Sequence, residues 1–449
     1  MIFLEHSTYD EDTIVANLGL PDYSYWFVRK AFRRMLARFG AVVPIVRPER
    51  DVDRVYKSAV ANGIPCVFLP FMPPQYVPTD LACPTAPVFA WEFDTIPTET
   101  WNANQRDDWR YVFARTKVAV THSQASVEAV RRTMGAHFPI WSIPAPVHQG
   151  MLAHRQTAQG RRAPFKFVVA GALAIDVGRI DRSLFAPERA YGDGVSALRL
   201  LRREADDLTR APQVLDLDGV VYTAVFNPAD GRKNWIDMTA GFIWAFRHTS
   251  DATLILKLAH ADMLEGVPVV LEHLSKLGPF ACRIIIIHGM LDDDAYAALV
   301  DATCYAVNTS DGEGQCLPLM EFMSAGRPAV APFHTAMMDY ISPENAFVVA
   351  SRTRPAFWPH DERQATRCVR HEISFSSLVQ AFQDSYRVAC TAPDDYARMS
   401  DAATSALEAF CSDAVVADRL SELLLHLGID ARRGPGPLPR PALVEKRRA

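Results

Sequence analysis

The sequence predicts an α/β protein made of two doubly wound, mostly parallel sheets. Two observations carry that expectation. Short apolar runs alternate with amphipathic stretches of helical spacing in two separate series, and such alternation builds parallel βαβ units. Nearly half of the 449 residues (49%) are apolar, enough for large cores in a length that reads as about two to three domains.

The first series opens on "MIFLE", a strand. Residues 24–40 space their apolar side chains as a helix and end at Gly40. "AVVPIV", a helix through Val60, "PCVFLPF" at 65–71 and "APVFAWEF" at 86–93 continue the alternation. At 116–135 a strand ending at Val120 runs into a helix, with Ser123 or Ser126 as its cap. "IPAPVH" at 143–148 reads as a crossing linker. The second series begins near Leu215 with the strand "GVVYTAVF" and the helix "NWIDMTAGFIWAFRH". "ATLILKLA" follows, then a helix to Leu277, and "CRIIIIHG" at 282–289 is the clearest buried strand. "LDDDAYAALVDA" is a helix, and "CYAVNTS" and "RPAVAPF" are strands. The expected organisation is therefore an N-terminal Rossmann-like unit over 1–149 and an insertion over 150–213. A C-terminal Rossmann-like unit over 214–428 follows, whose last helix is a candidate to cross back, and then a disordered tail over 429–449.

A net charge of −5 argues against nucleic acid as a partner. No apolar run approaches the ~18 residues of a membrane span, and the opening residues lack the pattern of a signal peptide. The eight cysteines contain no C-x-x-C pair and sit mostly in apolar settings, as reduced thiols of a cytoplasmic protein do. The basic, proline-rich end, "RRGPGPLPRPALVEKRRA", reads first as disorder. Peripheral attachment to an anionic membrane face is the minority reading.

The candidate site is "DGEGQCLPLMEF", residues 311–322. It follows a strand at the carboxyl edge of a parallel sheet, where open α/β folds bind ligands. Gly312 and Gly314 allow a tight turn and a close backbone approach to a ligand. Pro318 suits a helix's first turn, and Gly326 ends that helix. Glu313 then stands just before the helix, and Glu321 about one turn inside it, tilted back toward the same cleft. Carboxylates accept hydrogen bonds only, so a pair of them beside free backbone N–H groups suits a polyhydroxylated ligand. The competing reading is that both merely complement the helix dipole. "DGRKNW" adds two cations, Arg232 and Lys233, at another strand end before a helix, suited to a phosphate or, less specifically, to a solvated turn.

These stretches together resemble the retaining glycosyltransferases of family 4. E-G-x-x-L-P-x-x-E, with seven residues between the glutamates, is similar to that family's signature, and "TSDGEG" and "SAGRPAVAP" to its flanks. "NPADGRKNW" resembles its basic motif, and "VAVTHSQASVEAVRRTMG" and "AWEFDTIPTETW" more loosely its N-terminal half. The resemblance implies the GT-B fold: two facing Rossmann-like domains with the active site in the cleft between them. It implies a hexose moved from a nucleotide-sugar donor to a glycan or lipid-linked acceptor with retention, in polysaccharide biosynthesis. The residues themselves, with no Asp/His/Glu cluster of ligand spacing and with Arg232 and Lys233 to take up charge, lead us to expect no metal and no other cofactor. Carried over, Glu321 binds the donor ribose and Glu313 the transferred sugar. Gln315 and Cys316 contribute backbone N–H groups, with Ser310, Gly314 and Leu317 around them, and Lys233 with Arg232 holds the diphosphate. The family's arginine five residues before its lysine is absent, since Pro228 stands there, and so is its glycine-rich loop after the first strand.

Outside the motif, Glu92 at the end of a buried N-terminal strand is a candidate for the acceptor hydroxyl or for the developing charge on the sugar. His122 and Lys257, at two other strand ends, are weaker candidates. The D-x-D pattern Asp292/Asp294 reads as helix capping rather than metal binding. The rivals to a transferase are an epimerase or a sugar phosphorylase on the same fold, or a non-catalytic transferase-like subunit.

Overall fold

In the computed structural model, which describes residues 1–101, 103–180, 212–359 and 361–429, the chain opens on β1 (Ile2–Ser7). β2 (Ala41–Pro44) and β3 (Cys66–Phe71) pair with it in parallel on either side. The helices Ser24–Leu36 and Pro48–Ala61 connect them, as the apolar spacing predicts. "APVFAWEF" is not a regular strand, because Pro84 and Pro87 carry no N–H to complete a ladder. It still does a strand's work. Ala86 and Val88 donate to β3, Phe89 N donates to the Val120 carbonyl and Val120 N to the Pro87 carbonyl, which joins β4 (Ala119–Thr121) and β5 (Ile140–Ser142) to the same parallel sheet. The cap of the helix Gln124–Met134 is Ser123.

The stretch expected as an insertion contributes to the second sheet instead. Gly171, in the left-handed region, breaks "FVVAGALAIDVG" into β6 (Arg162–Val169) and β7 (Leu173–Asp176). β6 runs antiparallel to the first half of β8 (Gln213–Phe226), and β7 antiparallel to β10 (Arg283–His288). Between β8 and β10 lies β9 (Ala252–Leu258), and on the other side of β8 lie β11 (Tyr305–Val307), β12 (Ala329–Pro332) and β13 (Ala346–Val349), all parallel to it. Gly219 lets β8 bend where it leaves β6, since a Cβ there would strike the Asp251 carbonyl. The charged helical stretch within 197–208 and the tail from 430 lie outside the described residues.

An antiparallel hairpin of β14 (Ser351–Phe357) and β15 (Thr366–Ile373) then leaves the C-terminal half and packs on the N-terminal one. Val369 donates to Asp94 at 2.9 Å, Thr95 donates to the Arg367 carbonyl at 2.8 Å, and Glu99 pairs with Arg363 and Arg367. At its root His371 donates to the Asp311 carbonyl. Three helices follow, Phe375–Thr391, Pro393–Cys411 and Asp413–His426. The last reaches the N-terminal half, where Asp413 pairs with Arg34 and Arg419 donates to the Ser142 carbonyl. Among the described residues no helix is long and apolar enough to cross a membrane.

Candidate active site

β8 and β11 are neighbours, so the turns that leave their carboxyl ends meet. The first turn, after Phe226, is shaped by its own side chains. Asn227 accepts from Ala229 N and Asp230 from Arg232 N, and Asn234 takes a left-handed conformation before the helix Trp235–Phe246. The second turn, 308–316, is stitched to it. Asp311 N donates to the Arg232 carbonyl, and Thr309 Oγ1 to those of Lys233 and Asn234. Cys316, also left-handed, starts the helix Leu317–Ser324, with Leu317 and Pro318 in its first turn and Gly326 at φ +77 after it.

This stitching places Glu313 against both cations. Its Oε1 accepts from Lys233 Nζ at 2.7 Å, Ser310 Oγ at 2.5 Å and Asn308 Nδ2 at 3.1 Å, and its Oε2 lies 3.3 Å from Arg232 Nη1. Its own N–H donates to Thr335 Oγ1. The residue is 4% exposed. Burial pushes its carboxyl up, but Lys233 and Arg232 outweigh burial and hold it well below the ordinary 4.5. Arg232 also binds Asp230 at 2.9 Å and, across the cleft, Glu92 at 3.2 Å. Burial raises the Glu92 carboxyl while Arg232 opposes it. Two cations thus face three carboxylates.

Gly312 and Gly314, expected to admit a ligand, admit the other half of the protein. A Cβ on Gly314 would lie 2.8 Å from both Ala90 Cβ and Trp91 N. Gln315 accepts from Ala145 N of the linker at 2.6 Å. The Cys316 thiol accepts from Asn308 Nδ2 and is pushed up to about 12 by burial. Glu321 has different surroundings from Glu313. The Tyr296 hydroxyl donates to it at 2.6 Å, and burial pushes its carboxyl up to about 7.

The weaker candidates are occupied. His122 is fully buried, bound to the Ile143 carbonyl and pushed down to about 4 by burial, so in this conformation no acceptor reaches it. Lys257, 5% exposed, donates to the Leu258 carbonyl. Asp292 caps its helix through Ala295 N, and Asp293 pairs with Lys30 of the N-terminal half. No group of three or more His, Cys, Asp or Glu that could hold a metal exists among the described residues. Sequence reasoning missed Asn308, Asp230, Thr335 and Tyr296. Asn308 stood in the quoted strand, five residues before Glu313, but Tyr296 gave no signal.

Two facing α/β halves joined by a crossing linker and a returning helix are the GT-B fold, and solved structures agree. Sucrose-phosphate synthase from Thermosynechococcus elongatus superposes with a TM-score of 0.52 at 14% identity, covering 95% of this chain and 99% of its own. Anabaena HepE, in complex with UDP and glucose, gives 0.50 at 14% identity over 95% of this chain and all of its own (100%). S. aureus TarM, in complex with UDP among other ligands, gives 0.48 at 8% identity over 80% of this chain, which spans 55% of that chain's length. No family model and no curated protein matches the sequence.

Proposed function

We propose that this protein is a glycosyltransferase that moves a hexose, with retention, from a nucleoside diphosphate sugar to a glycan or lipid-linked acceptor in polysaccharide biosynthesis. One observation carries the reading. The turn bearing Arg232 and Lys233 and the loop bearing Glu313 are stitched together at adjacent strand ends, beside a helix that carries Glu321. The GT-B fold and the UDP-bound state of HepE support it.

In this reading Lys233, with Arg232, holds the diphosphate and takes up the charge that grows on the leaving oxygens. Glu313 faces the transferred sugar. Its bonds to Lys233 and Ser310 keep it ionised where positive charge develops on the ring. The backbone N–H groups of Gln315 and Cys316 bind sugar hydroxyls, with Ser310, Gly314 and Leu317 as the surrounding wall. Glu321 binds the ribose. Retention needs no protein nucleophile: the leaving phosphate oxygen accepts the acceptor's proton on the same face. Glu92 guards Arg232 until a diphosphate arrives, then faces the acceptor side.

A thermal-shift panel of UDP, GDP, ADP, TDP and their sugars tests it, because a ligand bound only by the folded state raises the midpoint. One nucleoside diphosphate should raise it clearly. A panel that leaves the midpoint unmoved removes the donor site, and with it the transferase.

A further inference from the structure

Tyr296 lies in the helix Asp293–Ala302, which follows β10, and Glu321 in the helix Leu317–Ser324, which follows β11. The Tyr296 ring is fixed edge-on against Phe322, centroids 6.1 Å apart at 81°. That packing aims its hydroxyl at Glu321 Oε2, 2.6 Å away. The other groups that bear on this carboxyl are Asp293, at the start of the tyrosine's helix, and Lys30 of the N-terminal half. Lys30 and Asp293 pair across the cleft at 2.7 Å, and Cys316 faces the phenol.

We propose that Tyr296 is a positioning residue for the donor: its phenol binds one oxygen of Glu321 and holds the carboxyl turned so that the other oxygen meets the hydroxyls of the nucleotide's ribose. The proposal rests on the donor role given to Glu321 above. A vicinal diol offers two donors, and an ionised carboxylate accepts them more strongly than the protonated acid, which has less acceptor capacity and an O–H of its own to place. Burial works against ionisation, since it pushes this carboxyl up to about 7, and the Tyr296 bond pulls the other way. Lys30 assists and Asp293 opposes. Donor affinity should therefore rise with pH through neutrality, and Tyr296 should decide where that rise falls.

The test is the dissociation constant of UDP-glucose, or of the GDP, ADP or TDP sugar that binds in its place, between pH 6 and 9. It is measured on wild type, Tyr296→Phe and Glu321→Gln, with thermal midpoints as the folding check. Phenylalanine keeps the ring and its packing and removes one proton donor. The Tyr296→Phe curve should move to higher pH by about one unit, roughly a tenfold weaker affinity at pH 6.5 that recovers by pH 9. Glu321→Gln should bind weakly and without pH dependence. A Tyr296→Phe affinity lowered equally at every pH, or unchanged, overturns the positioning role while leaving Glu321 its own. Wild-type affinity in Glu321→Gln, or no nucleotide sugar bound by wild type, overturns the donor reading and this proposal with it.

Discussion

Replacing Glu313 by glutamine keeps the shape of the side chain and deletes its charge. Lys233 and Arg232 lose a buried counter-ion, and the new amide must turn N–H groups toward one of them. Breaking a buried ion pair from one side costs about 3–5 kcal/mol. The lower end applies, because Ser310 and Asn308 can still donate to the remaining carbonyl oxygen. About 3 kcal/mol corresponds to a fall in Tm of roughly 6–12 °C for a unit of this size. Turnover should fall more than donor affinity, by roughly ten- to a hundredfold, since the charge matters most as the sugar becomes cationic. The pH dependence has a definite sign. The carboxyl is depressed below 4.5 in the folded state, so its contribution is full above that value and is lost as acid titrates the folded form. The stability gap between wild type and Glu313→Gln, from urea titrations, should be constant from pH 8 to about 5 and narrow below 4.5. A gap that widens on acidification, or a variant with wild-type Tm and kcat, refutes the ionised, cation-held glutamate.

Three further outcomes follow from the same geometry. Glu92→Gln removes one of the three carboxylates around Arg232. It should tighten nucleoside diphosphate binding by roughly fivefold, the scale of a partly exposed pair, while slowing turnover; calorimetry showing weaker binding would remove its guarding role. Lys233→Ala should weaken a nucleoside diphosphate by roughly ten- to a hundredfold and the bare nucleoside hardly at all. Equal losses in a titration of both would mean that the lysine does not hold phosphate. Activity should survive EDTA, because Arg232 and Lys233 can take up the leaving charge. Loss with recovery on adding Mg²⁺ would restore the D-x-D stretch as a metal site.

The alternation of strands and helices was legible because both sheets are largely parallel and buried, so each strand reads as an apolar run and each helix as a stripe. The meeting of "DGRKNW" with "DGEGQC" was legible only as two strand ends on one sheet edge. That β8 and β11 are adjacent is a matter of topology, which no local pattern encodes. The hairpin of β14 and β15 escaped notice because it is half exposed, with arginines on both strands in place of an apolar face. Gly314 shows the limit for single residues. A close approach could be foreseen from the glycine, but not that its partner would be Ala90 and Trp91. Tyr296 looked like one more aromatic on an amphipathic helix, and its role depends on a contact 25 residues away in sequence.

The returning helix Asp413–His426 also bears on how the chain is made. Its Asp413 meets Arg34 and Arg38, its Arg419 meets Ser142, and its His426 ring lies 5.0 Å from that of Trp141. A ribosome releases residues 1–142 long before residues 413–426, and domains ordinarily fold in the order in which they emerge. Here the first half cannot finish its own surface on that schedule. Trp141, on the edge strand β5, lacks its His426 partner while the whole second sheet is translated. An edge strand left open in that way is a place where nascent chains pair with one another, and the last helix closes over this one, through Arg419 and His426, only once translation has reached it.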